Sequence, residues 1–268
     1  MRTVISTLSL LCIFTFSNPV FAQSKRVPAS AGRLEFIEVE PNVKLHVTDL
    51  GEGQPIVLIH GWPLNDAMYE YQYQYFVQKG FRVIGISMRG FGKSDRPYGK
   101  YDFDVFSDDI KVVLEKLKIN NAVLGGFSMG GAVVLHYMAK YNGAHVSKLA
   151  LFAAAAPSWK QREGYPYGAS DEAAAGLTQT TRTNRQQLIE DFGKGFAASE
   201  NAISPAMSQW LANINSDASP YATTQSIIAL RDLDLRPALS KINVPVAISM
   251  ELKINYVILY LPSNCTKG

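Results

Sequence analysis

Ser128 stands in the stretch Gly125-Gly126-Phe127-Ser128-Met129-Gly130-Gly131, directly after the apolar run Ala122-Val123-Leu124. The spacing G-x-S-x-G between a strand-like run and a helix-like run is how a serine nucleophile is mounted. Such a turn forces the serine into a strained backbone geometry, so Gly126 and Gly130 must be small. The hydroxyl then projects above the sheet beside a helix N-terminus. Small residues around a serine are common, so the motif is weak alone, and the strand–turn–helix setting carries the reading. The chemistry is nucleophilic catalysis, which needs a histidine to take the serine proton and a carboxylate to steady that histidine.

A second stretch, Ile59-His60-Gly61-Trp62-Pro63, closes an earlier apolar run. In an architecture of this kind the loop there supplies one backbone N–H of an oxyanion hole, and the residue after the nucleophile supplies the other. Trp62 and Met129 are therefore the expected donors, each worth about 3 kcal/mol to the transition state. The strand end places His60 on the oxyanion side, so it is read as a loop-ordering residue and not as the base.

Partners for Ser128 are not found in the sequence. In chain order the acid and then the histidine should follow the later strands. Glu251 is the only carboxylate after residue 248, and no histidine follows His145. His46, His60 and His136 lie on an early strand, the oxyanion loop and the helix behind the serine. His136 is more than two helical turns beyond Ser128. The triad is one residue out of three.

The elements that would position these groups alternate along the chain. Residues 34–39 and 44–48 suit a hairpin across Pro41 and Asn42. Residues 55–61, 81–87, 121–128 and 148–154 read as buried strands, since they are largely apolar and bounded by turn signals. Helices are expected over 66–79, around the stripe Phe106, Ile110, Val113 and Leu117, and over 130–141. From 157 to 238 the strand signal vanishes, and helical pieces are expected at 184–196, 206–214 and 221–231. The strand signal returns at 244–249. The expected fold class is α/β: a doubly wound, mostly parallel sheet with an inserted helical lid, its last strand and helix missing. Residues 34–156 form the N-terminal part of the core, 157–238 the lid, and 239–268 an incomplete C-terminal part.

Composition bounds the rest. With 268 residues and 47% hydrophobic content the chain can bury one sizeable core. A net charge of +3 without a Lys/Arg block does not imply nucleic acid as a partner. Residues 1–22 read as a cleaved secretory signal, with Arg2, an apolar run over 4–16, and Val20 and Ala22 before the cut. A secreted or periplasmic protein with no membrane partner after cleavage is expected. Removal of Cys12 with the signal leaves Cys265 alone, so no intramolecular disulfide is expected.

The stretches HGWPLNDAMYEYQ, RGFGKSD and GFSMGGAVVLHYMAKY resemble the α/β-hydrolase superfamily, and within it the cofactor-free haloperoxidase (perhydrolase) and aryl esterase group. The resemblance runs from about residue 37 to about residue 248. It implies hydrolysis of small-molecule esters through an acyl-serine and, with peroxide, formation of peracids that oxidise halide, with no haem, metal or other cofactor. Two departures stand out. Ser87-Met88 occupies a place where relatives usually carry an aspartate, which is expected to alter packing beneath the loop. Relatives also read Phe-His-Gly-x-x-Asp after residue 248, where this chain reads Ser249-Met250-Glu251. A reading frame shifted by one base must place glycine across Met250 and Glu251 and permits the flanking residues, so a frameshift near residue 248 is expected. Two other functions stay open: a non-catalytic binder of small acyl or aromatic ligands, and a product with no function of its own.

Several conspicuous residues are expected to be structural. Tyr69, Tyr71, Tyr73 and Tyr75 alternate along a helix and spread around it. Asp108 and Asp109 read as a solvated face, and Arg89 as a residue that orders its loop by bonding backbone carbonyls.

Overall fold

The computed structural model describes residues 33–194 and 202–250. The expected signal and the tail carrying Glu251 and Cys265 lie outside those residues. Seven strands form one sheet: β1 (Phe36–Glu40), β2 (Val43–Leu50), β3 (Pro55–Ile59), β4 (Arg82–Ile86), β5 (Ala122–Phe127), β6 (Val146–Phe152) and β7 (Val246–Ser249). Their order across the sheet is β1-β2-β4-β3-β5-β6-β7. β1 pairs antiparallel with β2, and β2 with β4; every pairing from β4 to β7 is parallel. The hairpin is thus an antiparallel margin on a parallel sheet. Between β3 and β5 the winding reverses, and in open α/β sheets the crevice beyond the strand ends at such a point is where ligands bind.

Each parallel crossover is helical. α1 (Glu70–Gln78), preceded by a 3₁₀ turn Asp66–Tyr69, joins β3 to β4. α2 (Phe103–Lys116) follows β4, and α3 (Met129–Tyr141) joins β5 to β6. Both faces of the sheet are therefore covered, and the strands are apolar on both sides. On one face Phe106, Ile110, Val113 and Leu114 of α2 and Val133, Val134 and Tyr137 of α3 pack against Val57, Ile84 and Leu124. On the other, Tyr69 and Tyr73 cover Ile56, Leu58 and Val83. The four alternating tyrosines divide into this buried pair and an exposed pair, Tyr71 and Tyr75. Positions four apart share a helical face, and positions two apart do not.

Between β6 and β7 the chain forms α4 (Asp171–Thr183), α5 (Arg185–Lys194), α6 (Pro205–Ser216) and α7 (Pro220–Asp232). α4 was absent from the expected helices because residues 171–183 are rich in threonine and alanine and hold few large apolar side chains. Only Ala174, Thr178 and Thr181 of it are buried. α7 is fastened to the core: Ser219 N–H donates to Gly90 O at 2.8 Å, and Ala222, Ile227 and Leu230 are buried.

Two surface expectations are corrected here. Arg89 bonds carboxylates and not backbone carbonyls: Nε and Nη2 fork onto Asp109 at 2.7 and 2.6 Å, and Nη1 reaches Glu40 at 2.9 Å. Asp109 is accordingly buried (4% exposed), while its neighbour Asp108 faces Lys140 at the surface. A carboxylate one position off an apolar stripe can turn inward when a buried guanidinium offers a two-point partner.

Candidate active site

Ser128 occupies the junction of β5 and α3, where its backbone adopts φ 51° and ψ −118°. Positive φ at a residue with a Cβ is strained and persists only where its surroundings fix it. Here Ser128 N–H donates to Phe152 O at 2.9 Å, and its carbonyl accepts from Gly131 N–H at 3.0 Å and Ala155 N–H at 2.9 Å. The turn is tied to the end of β6 and to the first turn of α3.

The strain changes what the hydroxyl can do. Asp102, Ser170, Ser204 and Ser219 precede α2, α4, α6 and α7, and the side chain of each accepts a backbone N–H of the helix that follows. That is the ordinary use of a serine in this position. Ser128 precedes α3 and makes no such bond. Its counterparts all hold a negative φ and turn the side chain back on the helix, whereas Ser128 holds φ 51° and does not. Ser128 is half-buried at the N–H end of α3, where the helix dipole favours negative charge.

Across the switch point, the β3 loop closes on this turn. A Cβ placed on Gly61 would come within 3.1 Å of Ser128 Cβ, and one on Gly130 within 2.3 Å of Ile59 O and 2.5 Å of His60 O. The two loops therefore touch with no room for side chains. Among the described residues the backbone N–H of Trp62 has no hydrogen-bond partner, and Met129 N–H is at the first position of α3, where no intrahelical acceptor exists. Trp62, Met129, Gly126, Gly130 and Ser128 are thus brought to one place at the ends of β3 and β5.

The Trp62 side chain is 4% exposed. Its indole N–H donates to Thr223 O in α7 at 2.9 Å, and its ring meets Phe192 of α5 edge-on at 5.8 Å. α5 and α7 thereby rest on the loop after β3. Nothing in the polar composition of α5 or α7 signals Phe192 or Thr223 as contacts of Trp62.

His60 is fully buried, with Nε2 accepting Met88 N–H at 3.0 Å and Nδ1 bonded to Gly61 O at 2.9 Å. Burial lowers its pKa from 6.5 to about 4, so the ring is neutral. The loop's other end is held by a polar cluster that sequence reasoning missed. Asp66 is 3% exposed and accepts from Thr48 Oγ1 at 2.6 Å and Ser87 Oγ at 2.5 Å, with His46 Nδ1 3.0 Å away. Burial raises the Asp66 carboxyl, but hydrogen bonds from His46, Ser87 and Thr48 outweigh it and hold the pKa below its usual value. The one sequence signal is Ser87-Met88, where relatives usually carry an aspartate; the carboxylate here comes from Asp66, on the loop itself. A cavity of about 600 Å³ opens beside this cluster, lined by Glu35, His46, Asp66 and Lys93 and by none of the residues of the nucleophile turn.

The same fold recurs in known proteins. The pattern of the alpha/beta hydrolase fold family matches residues 54–226. The AB hydrolase superfamily protein YisY of Bacillus subtilis is 46% identical over 213 residues, spanning 80% of this chain and 79% of that protein. Among solved structures, an esterase from Exiguobacterium antarcticum is 44% identical, with a TM-score of 0.77 and coverage of 80% and 79%. A bromoperoxidase from Bacillus anthracis is 35% identical, with a TM-score of 0.74 and coverage of 78% and 77%.

Proposed function

This chain belongs to the alpha/beta hydrolase fold family, and on that premise we propose that it acts on small carboxylic esters through an acyl group carried on Ser128. The observation that carries the reading is the Ser128 backbone at φ 51° with its hydroxyl released from helix capping. Trp62 and Met129 offer two backbone N–H groups to a developing oxyanion, a stabilisation worth several kcal/mol in acyl transfer. The likeness to an esterase and to a bromoperoxidase supports both an ester as acyl donor and peroxide as a second acyl acceptor. In that branch the peroxide oxygen takes the acyl group and Ser128 recovers its proton, giving a peracid without a redox cofactor.

The test is release of nitrophenolate from 4-nitrophenyl acetate by the chain and by Ser128→Ala. Loss of the signal in the variant is expected, and equal signals in the two remove the reading. A non-catalytic small-molecule binder is the second reading, favoured by one observation: none of the chain's four histidines bonds Ser128. Export under the direction of residues 1–22 belongs to the same proposal. N-terminal sequencing of the exported protein should begin at Gln23.

A further inference from the structure

The cavity of about 600 Å³ beside the Asp66 cluster lies apart from the nucleophile turn and has the size of a small-ligand site, ~300–1,000 Å³. Most of the charge on its wall is already committed. Arg33 donates to Asp49 at 2.6 Å and to Gly51 O at 2.5 Å, and Arg96 holds Asp217 at 3.2 Å. Asp66 is occupied by Thr48, Ser87 and His46. Two buried side chains, His46 and Asn65, and the exposed carboxylate of Glu35 remain to meet a ligand.

The two buried groups are 8% and 7% exposed, and each is oriented by a bond on its inner side. A carboxylate can only accept, so the 3.0 Å contact with Asp66 places the proton of a neutral His46 ring on Nδ1. The Nε2 lone pair is then directed outward, with Glu35 Oε1 3.5 Å away. Asn65 Oδ1 accepts Ala67 N–H at 3.0 Å, which fixes the amide and turns Nδ2 the other way. A Cβ on Gly92 would meet Asn65 Cβ at 2.7 Å, so the loop after β4 holds that side chain in place. Among the described residues nothing bonds Asn65 Nδ2, and that atom is not sealed from solvent as Arg185 Nη1 and Asn215 Oδ1 are. Its N–H groups open onto the cavity that Asn65 lines.

The wall therefore sets two converging acceptors and one amide donor beside an apolar strip of Leu50 and Ala67. Acceptors 3.5 Å apart, one of them a carboxylate, suit a group with several N–H bonds and a positive charge. The molecule supplies such a group itself: Lys93 Nζ lies 3.3 Å from the same Glu35 oxygen. Both of those side chains are exposed, so their pairing is weak and yields to a ligand that also reaches His46.

We propose that this cavity binds a small primary ammonium compound bearing an oxygen acceptor. The ammonium bridges His46 Nε2 and Glu35, and Asn65 donates to the oxygen. The site shares no residue with Ser128, Trp62 or Met129, so it goes beyond the ester reading and stands without it.

The experiment titrates leucinamide into the 268-residue chain, with N-acetyl-leucinamide as the matched probe that lacks the ammonium. Binding is followed by calorimetry and by the proton NMR signals of the four histidine rings. His46→Gln assigns the His46 signal by its loss. Leucinamide should bind saturably and move that signal, and N-acetyl-leucinamide should do neither. Glu35→Gln should weaken binding by ~5-fold, the upper end of what an exposed ion pair supplies. Lys93→Gln should tighten it by ~2-fold or more, because the competing ammonium is gone. Both residues are exposed, so each variant is expected to keep the fold. Absence of saturable binding, or equal binding of the two probes, overturns the proposal. Binding that leaves both the His46 signal and the Glu35→Gln affinity unchanged overturns it as well.

Discussion

Ser87 Oγ donates to Asp66 Oδ1 at 2.5 Å and in return accepts the Asp66 backbone N–H at 3.2 Å. This reciprocal pair clamps the start of the 3₁₀ turn after β3 to the end of β4. Thr48 and His46 add the β2 side of the same clamp. Because Asp66 lies four residues after Trp62, the clamp fixes the far end of the loop that carries Trp62.

Asp66→Asn should lower unfolding free energy at neutral pH by about 2 kcal/mol, the scale of a buried hydrogen bond to a charged group. The folded pKa of Asp66 is depressed, so its contribution is present above the usual carboxylate value and is lost as pH falls through the folded value. Urea midpoints of the parent should therefore drop below about pH 4, and those of the variant should drop less.

His60 acts in a separate window. The unfolded chain takes up a proton near pH 6.5 that the folded chain refuses until about 4. Its contribution is complete above pH 6.5 and is lost as pH falls to about 4, at up to about 1.4 kcal/mol per pH unit. His60→Gln should flatten the dependence of the urea midpoint on pH in that window while leaving the fall at lower pH in place.

Asp109→Asn and Glu40→Gln both touch Arg89, with different outcomes expected. The Arg89–Asp109 pair is buried on both sides, and removing one charge strands the other, at a cost of about 3–5 kcal/mol. The Glu40 side chain is half-exposed, and its loss should stay within about 1 kcal/mol. Equal midpoint shifts in urea for the two variants would contradict this account.

Ser128→Gly should gain about 1 kcal/mol of stability, because it removes the Cβ that makes φ 51° costly. Ser128→Ala keeps that Cβ and should gain nothing. Both should lose labelling by 4-nitrophenyl acetate. A thermal melt of the three proteins separates backbone strain from the chemistry of the hydroxyl.

The sheet and the nucleophile turn were legible because local patterns specify them. Apolar runs such as Pro55–Ile59 mark buried strands, and glycines around Ser128 leave few backbone alternatives. The helices expected at 206–214 and 221–231 match α6 and α7 to within two residues, and the helix expected at 184–196 covers α5. What could not be read was pairing over distance between polar groups. Asp66 and Ser87 are separated by a helix and a strand, and Arg89 and Asp109 by a long loop and half of α2. No periodicity links such partners, since the fold alone brings them together. A buried carboxylate and a solvated one also look identical in sequence, which is why Asp109 was misjudged and Asp108 was not.

The contact of Gly130 with the carbonyls of Ile59 and His60 bears on how such a site can diversify. Main chain meets main chain there, so the spacing between the ends of β3 and β5 is set by backbone packing and not by side chains. Replacing Phe192 then leaves the approach of the two loops unchanged. Side chains of the roof formed by α5 and α7 can then change while the floor formed by the ends of β3 and β5 stays the same.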